Sequence, residues 1–371
     1  MAVQRWVDTA ATVGGDGQSQ AHTDDASGHR AHKSLFDWEA NSGGSATENY
    51  IVDCAGSASD TTVVTIDFTV NITTGSITIN GDRAAPDNDG FYTGDKVTST
   101  AHYRLVPASG SCLLFSEVNI TIDGIQIEAA GGSFLSAIDI TNVLGAFTIR
   151  KCRLRAASAT HYGIGSGASV GFNTSLRTIE NNLIVGFNVN SILINVSSFF
   201  SRNFLIQENT LYGDGASTGI TLTLGAGTTE TFVVKANAVA NHGTGNCFTG
   251  TAADTYSQNA TDSAEGTSGE VDLLGGGATL ADAWTNHGTG QTNQFTVKNS
   301  SSKLYNIVNP TLVTKDITDF TRDGTNHDIG AFELQGAASS AIKTVNGLAK
   351  ASIKTINGLA IASVKTRNGL A

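Results

Sequence analysis

Ile206-Gln207-Glu208-Asn209-Thr210-Leu211 decides the fold, because the same six-residue frame returns along the chain. One unit earlier it reads Ile179-Glu180-Asn181-Asn182-Leu183-Ile184, and one unit later Val234-Lys235-Ala236-Asn237-Ala238-Val239. Looser copies stand at residues 122–127 and 149–154, and a shorter one at 256–261. Successive starts lie 27, 30, 27, 28 and 22 residues apart. A period in that range marks a solenoid, in which each unit buries its apolar face only against its neighbours.

Units of this length fit three short strands and three turns. Stacking parallel strands about 4.8 Å apart turns the first and last positions of the frame into continuous Ile, Leu and Val columns. The Asn has two expected jobs. It tolerates the left-handed backbone that a sharp corner needs. Its amide also reaches the next Asn along the stack, so Asn182, Asn209 and Asn237 are expected to form a hydrogen-bonded ladder, the condition for burying a polar column. Cys152 occupies the same position in its copy and reads as a buried thiol standing in for a small polar residue. The position after the first Ile holds Asp123, Arg150, Glu180, Gln207 and Lys235, a charge-balanced column facing outward. The expected fold is all-β, a right-handed parallel β-helix with an N-terminal cap and a short β-repeat tail.

Composition agrees. Of 371 residues, 42 are Gly, 3 are Pro and 15% are charged, which suits short strands and tight turns. The net charge of −11 argues against nucleic acid as a partner. The four cysteines fit no zinc or disulfide pattern. The N-terminus lacks an apolar signal core and no apolar run is long enough to cross a bilayer, so synthesis in the cytoplasm without membrane insertion is expected.

Three divisions follow. Residues 1–47 read as a capping segment, with a helix over residues 32–40 whose Leu35, Phe36 and Trp38 plug the first coil. Residues 48–335 read as the solenoid, with an irregular excursion at 262–293, a return to strand at 295–297 and 304–308, and a terminal DGTNHDIGAFE motif at 323–333 in which Asp328 caps backbone amides where the solenoid closes. Residues 336–371 carry a second repeat of 11 residues: Ile342, Lys343, Asn346, Gly347 and Leu348; then Ile353, Lys354, Asn357, Gly358 and Leu359; then Val364, Lys365, Arg367, Asn368 and Gly369. Each copy has an Asn-Gly turn signal. Residues 1–335 hold 17 of the 22 basic groups and all 33 acids, a net −16, and the tail holds the other five basic groups.

The Ile-x-x-Asn-x-Leu coils and the DIGAFE terminus resemble right-handed parallel β-helix proteins of the pectate-lyase-like superfamily. The KTxNGLA tail resembles C-terminal repeats of virion-associated proteins of tailed phages. The resemblance implies a structural virion protein on the particle surface: a spike, fibre or capsid decoration. It would be attached or assembled through the basic repeats, with other virion proteins as partners, self-association as a homotrimer, and contact with host surface polysaccharide. The alternatives are a tailspike-type polysaccharide lyase or hydrolase, and a glycan-binding adhesin without turnover, since fold alone does not choose among them.

Chemistry is sparse. A glycosidase needs two carboxylates across a groove, and the best candidates are Glu180, Glu208 and Asp214. Asp87-Asn88-Asp89-Gly90 resembles part of a calcium loop but lacks its flanking acids. His22, Asp24, Asp25, His29 and His32 cluster without a zinc spacing. No metal and no cofactor is expected. All three Trp lie off the coils, leaving Tyr162 and Tyr212 as exposed aromatic platforms for sugar.

Overall fold

The computed structural model of the chain describes residues 2–42, 47–56, 58–67, 74–81, 103–116, 119–129, 136–141, 145–157, 162–165, 175–196, 203–224, 231–243, 247–250, 255–263, 270–285, 287–289, 295–307, 313–317, 321–322 and 326–334, with 344–345, 348–349, 355–356 and 359–360 in the tail. Two compact units result, residues 1–333 and 334–371.

The larger unit is a parallel β-helix. Its strands stack into three parallel sheets of nine, seven and nine strands. The first sheet carries the start of each frame, and the pairing is the one the repeat implies. Ile122 pairs with Ile149, Ile149 with Ile179, Ile179 with Ile206, Ile206 with Val234, and Val234 with Tyr256. The column extends further back through Ile79 to Val52. All of these except Tyr256 are fully buried. The third sheet carries the end of each frame, with Ile127, Leu154, Ile184, Leu211 and Val239 in register and buried. Strands of two to seven residues suffice because all but the end strands are paired on both sides by the coils above and below.

The N-terminal segment does more than cap. Val3–Asp8 pairs with Asn49–Ala55 as the first strand of the first sheet, a role its Val-Gln-Arg-Trp-Val alternation permits but the frame does not announce. The capping helix runs over Leu35–Ser42. Leu35 and Trp38 are fully buried, and the Trp38 ring meets Tyr50 edge-on at 6.4 Å. Phe36 is not a plug: it is 49% exposed, because the helix turns one face to the coil and Phe36 lies off it.

The end of the chain departs most from expectation. After Val271–Asp272 closes the third sheet, the chain doubles back along the outer face of that sheet. Leu280–Ala283 forms a helical turn, and Trp284–Thr285 pairs antiparallel with Thr296–Val297. Trp284 and Phe295 pack against Tyr212, which is thereby 7% exposed and offers no platform for sugar. Residues 304–307 form turns and not a strand. The DIGAFE motif does not close an end of the solenoid. It lies along the flank, where the Gly330 N–H donates to the Ala236 carbonyl and the Ala331 N–H to Thr210 Oγ1.

The tail unit holds two antiparallel pairs, Thr344–Val345 with Leu348–Ala349 and Thr355–Ile356 with Leu359–Ala360. The two-residue connections are Asn346-Gly347 and Asn357-Gly358, the pair that favours a tight hairpin turn. The third repeat, with Val364, Lys365, Arg367, Asn368 and Gly369, lies outside the described residues.

Candidate functional site

The corner between the first and third sheets is where the frame's polar residues gather. Each corner is a short turn whose first residue has a left-handed backbone: Gly124, Lys151, Asn181, Glu208, Ala236 and Gln258, with φ between 53° and 74°. The left-handed residue is therefore the one before the frame's Asn, not the Asn itself. The Asn follows it and points inward. Asn182, Asn209, Asn237 and Asn259 are completely buried.

These four form the ladder. Each amide nitrogen donates to the oxygen of the next Asn, at 2.9 Å for Asn182 to Asn209, 2.9 Å for Asn209 to Asn237 and 3.1 Å for Asn237 to Asn259. Each also donates to a carbonyl of the preceding coil: Ile149, Ile179, Ile206 and Val234 respectively. The backbone N–H of each donates to the next oxygen as well. Cys152 starts the row, its N–H donating to Asn182 Oδ1 at 2.9 Å and its thiol lying 3.3 Å from the Arg150 carbonyl. Burial pushes this thiol up to about 12, so it is inert at neutral pH. Cys152→Asn is expected to extend the ladder by one rung and raise stability by about 1 kcal/mol. A lower thermal midpoint for the variant would show that the site lacks room for the amide.

The left-handed residues point outward, and three consecutive ones hold the returning chain. Asn181 donates to the Lys315 carbonyl at 2.9 Å and accepts from Arg322 Nη2 at 3.1 Å. Glu208 contacts Arg322 Nε at 2.9 Å and His327 Nδ1 at 3.4 Å. The Arg322 N–H is not aimed along the line to that oxygen, so the contact is mainly Coulombic. The Ala236 carbonyl accepts from the Gly330 N–H at 3.0 Å. Arg322 Nη1 also reaches Glu333 at 3.2 Å, and Phe332 lies under the Arg153 guanidinium. Gly330 has φ of 97°, and a Cβ there would meet Thr210 Oγ1 at 2.7 Å, so only glycine lets the strap lie this close. Asp328 does cap an amide, that of Asn306 at 2.6 Å, but on the flank.

The outward column is paired as its charges suggest. Asp123 accepts from Arg150 Nη2 at 2.8 Å and Nε at 3.0 Å, and Glu180 accepts from Gln207 at 2.8 Å. A cleft of about 170 Å³ opens here, lined by Asp123, Arg150, Lys151, Glu180, Asn181 and residues 313–315. Its walls carry both signs of charge.

The candidate acids thus fall in three environments. Glu180 lines the cleft, and Glu208 sits at the same corner one coil on, with no exposed side-chain surface and Arg322 against it. Asp214 is exposed at the next corner, where it accepts from the N–H groups of Ala216 and Ser217. The structure does not bring the three together around one open groove. Burial raises the Glu180 carboxyl above its ordinary value; Gln207 and Arg150 oppose the shift, while Glu208 and Asp123 add to it. A carboxyl raised in this way holds its proton more tightly folded than unfolded. Its contribution is therefore most favourable below the ordinary glutamate value and weakens as pH climbs to the raised one. Glu180→Gln is expected to flatten that decline and to leave the neutral-pH denaturant midpoint unchanged or higher. A lower midpoint would contradict this.

Elsewhere, His22 pairs with Asp8 and Arg30 with Asp24, and His32 is buried near Asp37. Among the described residues no group of three or more His, Cys, Asp or Glu is placed to hold a metal ion, and no helix is long and apolar enough to cross a membrane. The Asp87–Gly90 stretch lies outside the described residues. Sequence reasoning missed Arg322 and Arg177. The latter stands in an inward column with Phe147 and Phe204, its guanidinium over the Phe204 ring at 5.6 Å. No family model matches the chain, and neither a curated protein nor a solved structure matches it.

Proposed function

We propose that the chain is a structural protein of a tailed-phage particle, a β-helical spike, fibre or capsid decoration, held in place by its C-terminal repeats. The observation that carries this reading is the change of fold and of charge at the end of the chain. An acidic parallel β-helix gives way to a separate unit of Asn-Gly hairpins in which every charged side chain is basic. Tandem basic hairpins suit attachment to repeated acidic surfaces.

The solenoid supports a scaffold role. Its outward charges are matched along the column, and three of its left-handed corner residues, Asn181, Glu208 and Ala236, fasten the returning chain. Glu208, a candidate for acid–base work, is used to hold Arg322.

Deleting residues 336–371 is the test. The reading expects the truncated chain to keep its β-rich circular dichroism but to lose incorporation into particles and to fall in oligomeric mass. Unchanged incorporation together with unchanged mass would overturn it.

A further inference from the structure

The corner between the third and second sheets holds a histidine that a scaffold role does not use. After Ala238–Ala240 the chain turns through Asn241, His242 and Gly243, and this turn stacks on residues 213–217 of the preceding coil. The Gly213 N–H donates to the Ala240 carbonyl at 2.9 Å, the Gly215 N–H to the Asn241 carbonyl at 2.8 Å and the Gly243 N–H to the Ser217 carbonyl at 2.9 Å. The Asn241 amide donates to the Gly213 carbonyl at 2.8 Å. The His242 ring completes the contact, with Nδ1 2.9 Å from Ser217 Oγ.

The ring is shut off from solvent. His242 is 7% exposed and Ser217 1%. Gly213 packs on both, and a Cβ there would stand 2.4 Å from His242 Nδ1 and 2.3 Å from Ser217 Oγ. The Leu211 carbonyl faces the ring, but among the described residues Nε2 has no aligned partner. Whichever nitrogen carries the proton of the neutral ring, a second proton leaves an N–H at Nε2 unsatisfied and a charge out of water. The neighbouring acids offer little relief. Asp214, on the preceding turn, acts on the ring from an exposed position, where its Oδ1 accepts from the N–H groups of Ala216 and Ser217. Asp262, on the following coil, is taken up by the Asn241 N–H and the Cys247 thiol. Burial pushes His242 down to about 4, against the pull of Asp214 and of the Leu211 carbonyl. Two coils back, the matching place two residues past its strand holds Phe187, also fully buried, so the corner accepts an aromatic ring that does not titrate.

We infer that His242 is an acid-sensitive clasp: on taking up a proton it releases the turn at 241–243 from the turn at 213–217 and opens this corner of the solenoid, while the Asn ladder stays closed. An open corner gives the ring access to water, where its ordinary value is 6.5. A histidine lowered by folding binds its proton more readily when the corner is open. The closed corner is therefore fully favoured above about 6.5 and loses ground as pH falls to about 4. The ladder stands at a different corner, between the first and third sheets, and its linked side chains are amides that do not titrate. The clasp goes beyond the particle reading and depends on no part of it.

Hydrogen exchange of the full-length chain tests it. Protection factors of residues 211–218 and 238–243 are expected to fall about 30-fold between about pH 8 and about pH 5, the ratio that one proton gives when its value moves from 6.5 to about 4. Peptides covering residues 176–184 of the ladder should change by less than about threefold over the same range. His242→Gln keeps a hydrogen-bonding group toward Ser217 without titrating, and His242→Phe copies Phe187; each is expected to abolish the fall. A wild-type fall below about threefold overturns the inference. So does a fall of wild-type size in either variant with native circular dichroism, or an equal fall in the ladder peptides. Should both variants unfold, the wild-type profile decides. One proton gives a fall that approaches about tenfold per pH unit between about 6 and about 4.5. A steeper fall, the mark of several carboxyls titrating together, overturns the clasp.

Discussion

Asn209→Ala is expected to destabilise the solenoid by about 3–9 kcal/mol, from about three buried polar groups left without a partner at about 1–3 kcal/mol each. The alanine removes the oxygen that accepts from both the backbone N–H and the amide of Asn182. It also removes the donor to the Ile179 carbonyl and to Asn237 Oδ1. Asn237 keeps the Asn209 backbone N–H, so its oxygen stays satisfied. The Asn182 donors and the Ile179 carbonyl do not, and Asn182 is wholly buried, away from water. Urea unfolding gives the magnitude, and hydrogen exchange places it, with loss of protection centred on residues 179–211. A loss below about 1 kcal/mol would mean that water or a shifted backbone replaces the missing amide.

Arg322→Met is the second large effect, at about 3–5 kcal/mol, the usual cost of removing one partner from a buried ion pair. Arg322 and Glu208 have no exposed side-chain surface, and Glu333 is nearly as buried. Removing the guanidinium leaves two carboxylates in one buried place and frees the Gly330 carbonyl and the Asn181 oxygen. The effect should be local. Limited proteolysis is expected to cut within residues 313–333 while the Asn ladder amides stay protected, because the ladder makes no bond to Arg322. Adding Glu208→Gln and Glu333→Gln should recover part of the loss, since the buried charges go with the cation. Cleavage spreading through the coils at the same rate would contradict the view of the strap as a separately fastened element.

The solenoid was legible because its contacts repeat. Ile122, Ile149, Ile179, Ile206, Val234 and Tyr256 start the copies of the frame, and they are the residues that pair across the first sheet. The Asn ladder was legible for the same reason. The left-handed corner was misplaced by one residue because Asn is the usual occupant of that conformation, whereas Lys151, Glu208 and Ala236 adopt it here. Stacking in register forces their backbone, and side-chain preference is overridden. The strap was not legible. Its contacts join Asn181 to Arg322 and Glu208 to His327, 141 and 119 residues apart. No local period encodes them. The one hint was Gly330 in DIGAFE, which a close backbone approach demands but whose partner the sequence does not name.

The proposed role as a particle component rests on the scaffold, the matched charge column and the basic tail. Quantitative mass spectrometry of density-banded infectious particles tests that most directly. The account predicts peptides of this chain banding with the major capsid protein at a fixed copy number through successive purifications. Peptides that stay with the soluble lysate, or whose ratio to the capsid protein falls with each banding, would contradict it.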